Sequence, residues 1–348
     1  MSRLAQGAGL RRIGGGRRFW LVRPGSWLRL AVLVGLAATV AAAALGVGGQ
    51  WVAPVDILGA LRGVAGEEAA LIVLGLRLPR ILLALLCGAM LGMAGAAMQS
   101  LTRNGLADLG LIGAKEGAVV AILVLVLGFP GVPELWRPWA GLTGALGVAG
   151  LVMFLARSLS GIRFILVGIG VGWTLSAAIA LFITTAGLNE VRTALIWLAG
   201  SLHAASWDAL WLALPWGLGG ALALLALARQ GEVAALGPAL AVGLGLRAGW
   251  VAALRLLASV ALTAACVSAI GSLGFVGLVA PHIARLAVGR GEAMLLAGSA
   301  ATGALLLLAA DTVGRAAFAP LQIPAGIVLA ILGGPVFLLL LWRRRNQL

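Results

Sequence analysis

Apolar runs of about 20 residues recur from one end of this chain to the other, and nothing constrains its fold more. A helix needs about that length to carry its hydrogen-bonded backbone across ~30 Å of hydrocarbon. The runs are continuous rather than alternating, which excludes a β-barrel, whose strands turn every second side chain to lipid. Composition agrees, with 62% of residues hydrophobic and 10% charged, against about 25% charged in soluble domains. The chain is therefore expected to be an all-α, polytopic membrane protein.

Charged or Gly/Pro-containing breaks divide the runs into ten helices, at roughly 28–48, 80–101, 112–129, 139–156, 164–185, 206–228, 252–271, 274–289, 294–313 and 324–342. Gly271, Gly274 and Gly277 alone mark the break between the seventh and the eighth. An even number puts both termini on one side, and the positive-inside rule chooses the side. With a cytoplasmic N-terminus, the inner segments collect seven arginines before residue 30, then Arg103, Arg157, Arg163, Arg229, Arg247, Arg255, Arg285, Arg290 and Arg343 to Arg345. The outer segments hold Arg62, Arg77, Arg80, Arg137, Arg192 and Arg315, with Asp56, Glu67, Glu68, Glu134 and Glu190. Nine or eleven spans would split the two basic termini. The expected organisation is a basic cytoplasmic tail over 1–27, one ten-helix domain over 28–342 with a cytoplasmic loop at about 229–250, and a basic tail over 343–348.

Arg17-Arg18-Phe19-Trp20-Leu21 has the outline of a twin-arginine export signal, but the apolar run behind it is long enough to span. A tail is the preferred reading over a cleaved leader. The net charge of +14 would point to nucleic acid in a soluble protein. Here the charge sits in loops and termini, so it reads as a topology signal and no nucleic-acid partner is expected.

A charge at the centre of a span costs about 2.5–3.5 kcal/mol on insertion scales, so the polar residues kept in these runs are candidates for function. The inventory for catalysis is thin. There are two histidines, His203 and His282, no tyrosine, and a single lysine, Lys115. Neither histidine has a carboxylate at ligand spacing, so no metal site is expected, and neither H-E-x-x-H nor G-x-S-x-G occurs. Lys115 is followed by Glu116, so the chain lacks a G-x-x-x-x-G-K-[ST] loop and has no P-loop route to ATP hydrolysis. Cys87 and Cys266 fall in separate spans and read as small packing residues without a disulfide. Gly88 and Gly92, with Ala84 a turn earlier, form a small-residue face that lets a second helix backbone approach. An intramembrane enzyme is disfavoured on this inventory. An ion-coupled secondary transporter needs intramembrane carboxylates, and Asp311, Glu116 and Asp208 are the candidates.

Several blocks carry a family pattern. GSLGFVGLVAPHIARLAVG (Gly271–Gly289), ADTVGR (Ala310–Arg315) and IPAGIVLAILGGPVFLLLL (Ile323–Leu341) stand near the C-terminus. Arg77-Leu78-Pro79-Arg80 precedes a Gly/Ala-rich span that leads into QSLTRNGLADLGLIGAKEGA, and IWLAGSLHAASW covers Ile196–Trp207. In order and spacing these blocks resemble the FecCD-type permeases of iron-siderophore, haem and cobalamin ABC importers.

The resemblance implies a homodimer of this chain in a bacterial or archaeal inner membrane, with two cytoplasmic ATP-binding subunits and an extracytoplasmic binding protein. It implies alternating access driven by ATP and Mg on those partners, with no cofactor and no catalytic residue on this chain. Arg77, Arg80 and Arg315 match positions that dock glutamates of the binding protein, and charge counting puts all three outside. A bidentate Arg–carboxylate pair fixes orientation as well as adding energy. The competing readings are snorkelling to headgroups and, for Arg315, pairing with Asp311 four residues earlier. Leu236, Gly237, Leu244 and Gly245 match the loop that couples to the ATPase, whereas Pro238 and Ala241 or Val242 replace that loop's usual charged residues. Gly333, Pro335 and Phe337, and by analogy Thr174 and Ser176, are expected to border the pathway. Asn104, Asp108, Pro281, His282, Arg285 and Asp311 are motif positions, while Gly105 and Leu109 stand where the family has prolines. Lys115-Glu116 replaces small polar residues. Adjacent residues on a helix do not face each other, so at least one of this pair is expected to point at a neighbouring helix or the pore, with a structural ion pair to other groups preferred over a substrate contact.

Overall fold

The computed structural model describes residues 11–13, 20–22, 24–48, 50–129, 131–157, 162–289, 291–319 and 321–344. Most of the basic tail 1–27, Arg290 and residues 345–348 lie outside them, as does the side chain of Phe337. In the tail, Arg11–Ile13 and Trp20–Val22 pair as two short antiparallel strands. Everything after them is helical: α1 (Pro24–Gly46), a short α2 (Pro54–Leu61), α3 (Glu67–Thr102), α4 (Ala114–Gly128), α5 (Arg137–Ala156), α6 (Ile162–Thr185) and α7 (Leu188–Ala199). Then follow α8 (Trp207–Ala226), α9 (Ala228–Ala235), α10 (Pro238–Gly243), α11 (Ala248–Ile270), α12 (Val276–Val288), α13 (Glu292–Ala316) and α14 (Ala325–Arg344).

Each of the ten expected runs becomes a helix, including the pair with the weakest boundary, where α11 ends at Ile270 and α12 begins at Val276. Among the described residues, seven helices are long and apolar enough to cross a membrane by length and composition: α1, α3, α5, α6, α8, α11 and α13. The second run is longer than expected. Instead of 80–101 it forms a continuous 36-residue helix from Glu67, with a π-helical stretch at Leu71–Arg77. Leu78 N–H bonds to Val73 O, so in this register Leu74 O falls to Pro79, which has no N–H, and Trp207 Nε1 donates to it instead at 3.0 Å.

Helix α12 has 13 residues and reaches only ~20 Å at 1.5 Å per residue, short of the ~30 Å hydrocarbon core. Its lead-in, Gly271–Phe275, is non-helical and needs backbone partners, because irregular backbone at membrane depth must be satisfied by protein. It finds them among other chain ends. Ser272 N–H donates to Trp197 O at 2.7 Å, Ser201 N–H to Ile270 O at 2.8 Å, and Gly326 N–H to Gly200 O at 3.0 Å. The ends of α7 and α11 and the start of α14 are thereby tied into one junction.

Burial separates the helices into a centre and a surround. The apolar window of α3 is 78% buried and that of α1 only 11%. The centre is α3 packed between α11 and α13, and its closest approach uses the small-residue face read from the sequence. A Cβ on Gly88 would strike the carbonyl of Gly303, and one on Gly92 the carbonyl of Ser299, so α3 and α13 touch backbone to backbone. The outer helices turn large apolar groups such as Phe154, Leu166 and Trp173 outward. Such a surface suits lipid or another copy of the chain, not water.

Candidate functional site

Arg77 and Arg80, about three to four turns into α3, meet the end of α13, where Asp311 and Arg315 lie one turn apart. Asp311 is 1% exposed and serves two arginines. Arg80 Nη2 donates to Oδ1 at 2.8 Å and its Nε to Oδ2 at 3.0 Å, while Arg315 Nε donates to Oδ2 at 3.1 Å. Arg80 Nη1 also reaches Gln322 Oε1 at 2.9 Å, and the same oxygen lies 3.2 Å from His203 Nδ1. Arg77 donates to the carbonyls of Leu45 and Gln50, and Arg315 to Val47 O at 3.3 Å, so the end of α1 is stapled to the cluster. The along-helix pairing that competed with docking is thus realised for Arg315. Arg77 and Arg315 are buried with their guanidiniums turned to internal partners. Of the three expected docking arginines, Arg80 is the most accessible, its side chain 12% exposed.

The opposite rim carries the loop expected to couple to an ATPase. It forms two short helices, α9 and α10, and presents Leu236, Leu240, Val242 and Leu244, each more than half exposed. The two glycines singled out there are turning points: Gly237 has φ 115° and Gly245 φ 78°, a region that a side chain makes costly. The sequence reading missed Leu240 and Val242, and it missed the strut beneath them. Arg255 of α11 forms a buried ion pair with Glu292 at the start of α13. Ser100 Oγ of α3 donates to the other oxygen of Glu292 at 2.9 Å, and Glu232 of α9 accepts from the Glu292 backbone N–H at 2.8 Å. Arg103 donates to Ala234 O at 2.8 Å. Arg255 had been read as a topology charge. The signal that marks it is its position eight residues into an apolar helix, where an unpartnered charge is expensive.

Motif residues organise the path between the rims. Arg103 ends α3 with φ 52°, and Asn104 Oδ1 accepts from Leu106 N–H at 2.9 Å, turning the chain without the family's proline. The Asp108 carboxylate packs against Gly277 at the start of α12, where an acidic group complements the helix dipole. Pro281 and His282 are buried in α12, and Arg285 Nη2 donates to Gln99 Oε1 at 3.3 Å. Cys87 and Cys266, read as unrelated, meet side chain to side chain in the core as free thiols.

Of the expected pathway residues, Ser176 lines a crevice between α4, α6 and α7. Thr174 is exposed on α6, its hydroxyl donating to Gly170 O of the same helix at 2.9 Å. Gly333 is a correction: it is buried under the ring of Phe275, whose Cγ lies 2.6 Å from where a Cβ would sit. It admits that ring rather than forming an open wall. Phe275 itself has φ 68°, strained for an aromatic residue. Pro335 is exposed on α14. Lys115 and Glu116 lie on the same side of the first turn of α4. Lys115 Nζ lies 3.6 Å from Glu116 Oε1, both beside Ser176 in the crevice. Among the described residues, no three His, Cys, Asp or Glu gather as metal ligands.

Known proteins with this pattern are permeases. The iron(3+)-hydroxamate import system permease protein FhuG of Bacillus subtilis (strain 168) is 36% identical over 301 residues, covering 84% of this chain and 90% of the relative. The achromobactin transport system permease protein CbrC of Dickeya dadantii (strain 3937) is 39% identical over 327 residues, covering 91% of each. The hemin transport system permease protein HmuU of Yersinia pestis is 37% identical over 281 residues, covering 79% of this chain and 84% of the relative. Among solved structures, a metal-chelate type ABC transporter in an inward-facing conformation superposes with a TM-score of 0.79 and 26% identity, covering 91% of this chain and 99% of that one. Residues 35–343 match the FecCD transport family, and with these relatives in agreement the chain belongs to that family.

Proposed function

We propose that this chain is the membrane-spanning subunit of a binding-protein-dependent ABC importer for a metal chelate, working as a homodimer in a bacterial or archaeal inner membrane. The relatives named above serve hydroxamate, achromobactin and hemin transport, which supports a large iron-bearing cargo. Two cytoplasmic ATP-binding subunits supply the energy from ATP and Mg, and an extracytoplasmic binding protein delivers the cargo at the Arg80 end. Ten crossings place both termini and the α9–α10 loop on the cytoplasmic side.

The observation that carries this reading is the α9–α10 loop. An exposed apolar surface on a short helical pair is a liability unless a partner covers it. Here that surface is braced by Glu232 and Arg103 against Arg255, Glu292 and Ser100, groups that sit on α11, α13 and α3. A push on the loop therefore reaches the three central helices through hydrogen-bonded contacts, as conversion of a soluble subunit's motion into bundle motion requires. The secondary-transporter reading loses one carboxylate, since Asp311 is held by two arginines, and Asp208 is exposed at the start of α8.

Co-purification tests the assignment. The wild-type chain is expected to retain its co-expressed ATP-binding subunit in detergent, and Leu240→Asp with Leu244→Asp to lose it while eluting as a folded dimer. Equal retention by both proteins would remove the loop from the coupling role.

A further inference from the structure

The ends of α5, α7, α8 and α11 surround a cleft of about 300 Å³. Arg137 and Glu134 stand in its lining with Thr193 and Ser201, beside apolar walls that include Ile196 and Ala213. The two charged groups pair at 2.8 Å and stay accessible, with 30% and 57% of their side chains exposed. A guest in the cleft can therefore reach both. Arg137 Nη1 faces Glu134, and a guanidinium carries five N–H donors, so the fork keeps donors for a second acceptor. Its carbon lies 5.8 Å from the centroid of the Trp197 ring, a stacking that steadies the fork.

The same seam between α8 and α11 carries a second cavity. One turn beyond Ala213 and Ala265 begins a trough of about 490 Å³, lined by Trp216, Ala261, Leu257 and Leu254 and by no charged residue. Its depth can be read along α11. Ser268 Oγ lies 3.1 Å from Arg137 O, so the ion pair is level with Ser268. Ala261 and Leu254 stand seven and fourteen residues from Ser268, ~10 and ~20 Å at 1.5 Å per residue. One leaflet supplies about half of a ~30 Å hydrocarbon core, so the trough lies where an acyl chain anchored at the pair would hang. Trp136, Trp139 and Trp211, each more than half exposed, stand at this end of the bundle, as in the aromatic belt at headgroup depth. Leu218 and Leu222, next to trough residues of α8, are also more than half exposed and turn to the lipid side.

We propose that this seam binds a zwitterionic phospholipid whose headgroup ends in a primary ammonium, of the phosphatidylethanolamine type. The phosphate accepts from the Arg137 fork, the ammonium donates to Glu134, and one acyl chain runs through the cleft into the trough. The charge pattern selects this occupant. A basic pocket suits an anionic lipid, whereas this lining offers one charge of each sign. A quaternary ammonium has no N–H to give Glu134, and an anionic headgroup brings it no cation. The lipid lies against α11, one of the three central helices, so its headgroup chemistry bears on the stability of the bundle's centre.

Native mass spectrometry of the full, delipidated chain in detergent tests this. The probes are ethanolamine, choline and glycerol phospholipids with identical acyl chains, offered in equal amounts. Wild type is expected to retain the ethanolamine lipid ~10-fold or more over the choline lipid, the ratio given by one charge-assisted hydrogen bond. Glu134→Gln is expected to bring that ratio close to one, and Arg137→Gln to weaken retention of all three lipids through their shared phosphate. Gly219 lines the trough, and an added Cβ there meets nothing within 4 Å. Gly219→Phe is therefore expected to fill the trough and lose the lipid while eluting as wild type does. Equal retention of the three lipids by wild type, retention of none, or an undiminished preference in Glu134→Gln would overturn the proposal. So would a Gly219→Phe protein that elutes as a monomer where wild type is a dimer, because the seam would then be covered by a second copy of the chain. The wild-type comparison needs no variant to fold.

Discussion

Single residues fix how the two rims hold together. At the rim that carries the α9–α10 loop, Glu292 neutralises Arg255, accepts from Ser100 and offers its backbone N–H to Glu232. Glu292→Leu leaves a guanidinium buried without a counter-charge, a change that costs ~3–5 kcal/mol. A melting curve of the purified protein is expected to show that loss, and the double change Arg255→Met, Glu292→Leu to recover most of it. A double variant as unstable as the single one would mean the pair does not act as a unit. At the opposite rim Arg77 staples α3 to the Leu45 and Gln50 carbonyls. Removing charge-assisted bonds of this kind costs ~1.5–3 kcal/mol each, so Arg77→Met is expected to lower thermal stability, whereas a purely docking residue would leave the melt unmoved. These residues show the limit of sequence reading. Asp311 and Arg315 were legible because polar residues in apolar runs stand out, while Arg77 and Arg80 were singled out by the family resemblance. That Asp311 would occupy two of the three arginines depends on α3 and α13 meeting end to end, which spacing along the chain does not encode.

At the scale of elements, helix positions were written in hydrophobic run length, and the α11–α12 boundary held on its glycines alone. What the runs did not encode was how helices are shortened and extended. The π-helical extension of α3 over Leu71–Arg77 and the 13-residue α12 follow from partners supplied by α7, α8 and α14, hence from tertiary contact. The small-residue face was legible on one side only: Gly88 and Gly92 were visible, their counterparts Gly303 and Ser299 were not. Because the two backbones touch there, Gly92→Leu is expected to abolish the folded, monodisperse peak in size-exclusion chromatography. Gly147→Ala, at a helical glycine with nothing within 4 Å, is expected to leave it unchanged. Normal elution of Gly92→Leu would contradict the packing of α3 on α13. The crevice pair Lys115 and Glu116 belongs to this scale as well. Adjacency argued that the two side chains diverge, but the first turn of α4 and the space beside α6 let them converge.

For the whole molecule, the division of labour follows from where polar groups lie. A cluster of arginines around Asp311 at one rim, a strut under an exposed apolar loop at the other, and a central trio of helices joining them describe a body moved from its ends. In the proposed importer the energy for transport enters through that loop from a separate ATP-binding subunit. Uptake of a radiolabelled ferric chelate into proteoliposomes measures this directly, with the chain reconstituted alone or together with its ATP-binding subunit and binding protein. The account predicts accumulation only in the assembled system with ATP, unaffected by an uncoupler that collapses the proton gradient. Accumulation by the chain alone, driven by that gradient and abolished by the uncoupler, would contradict it.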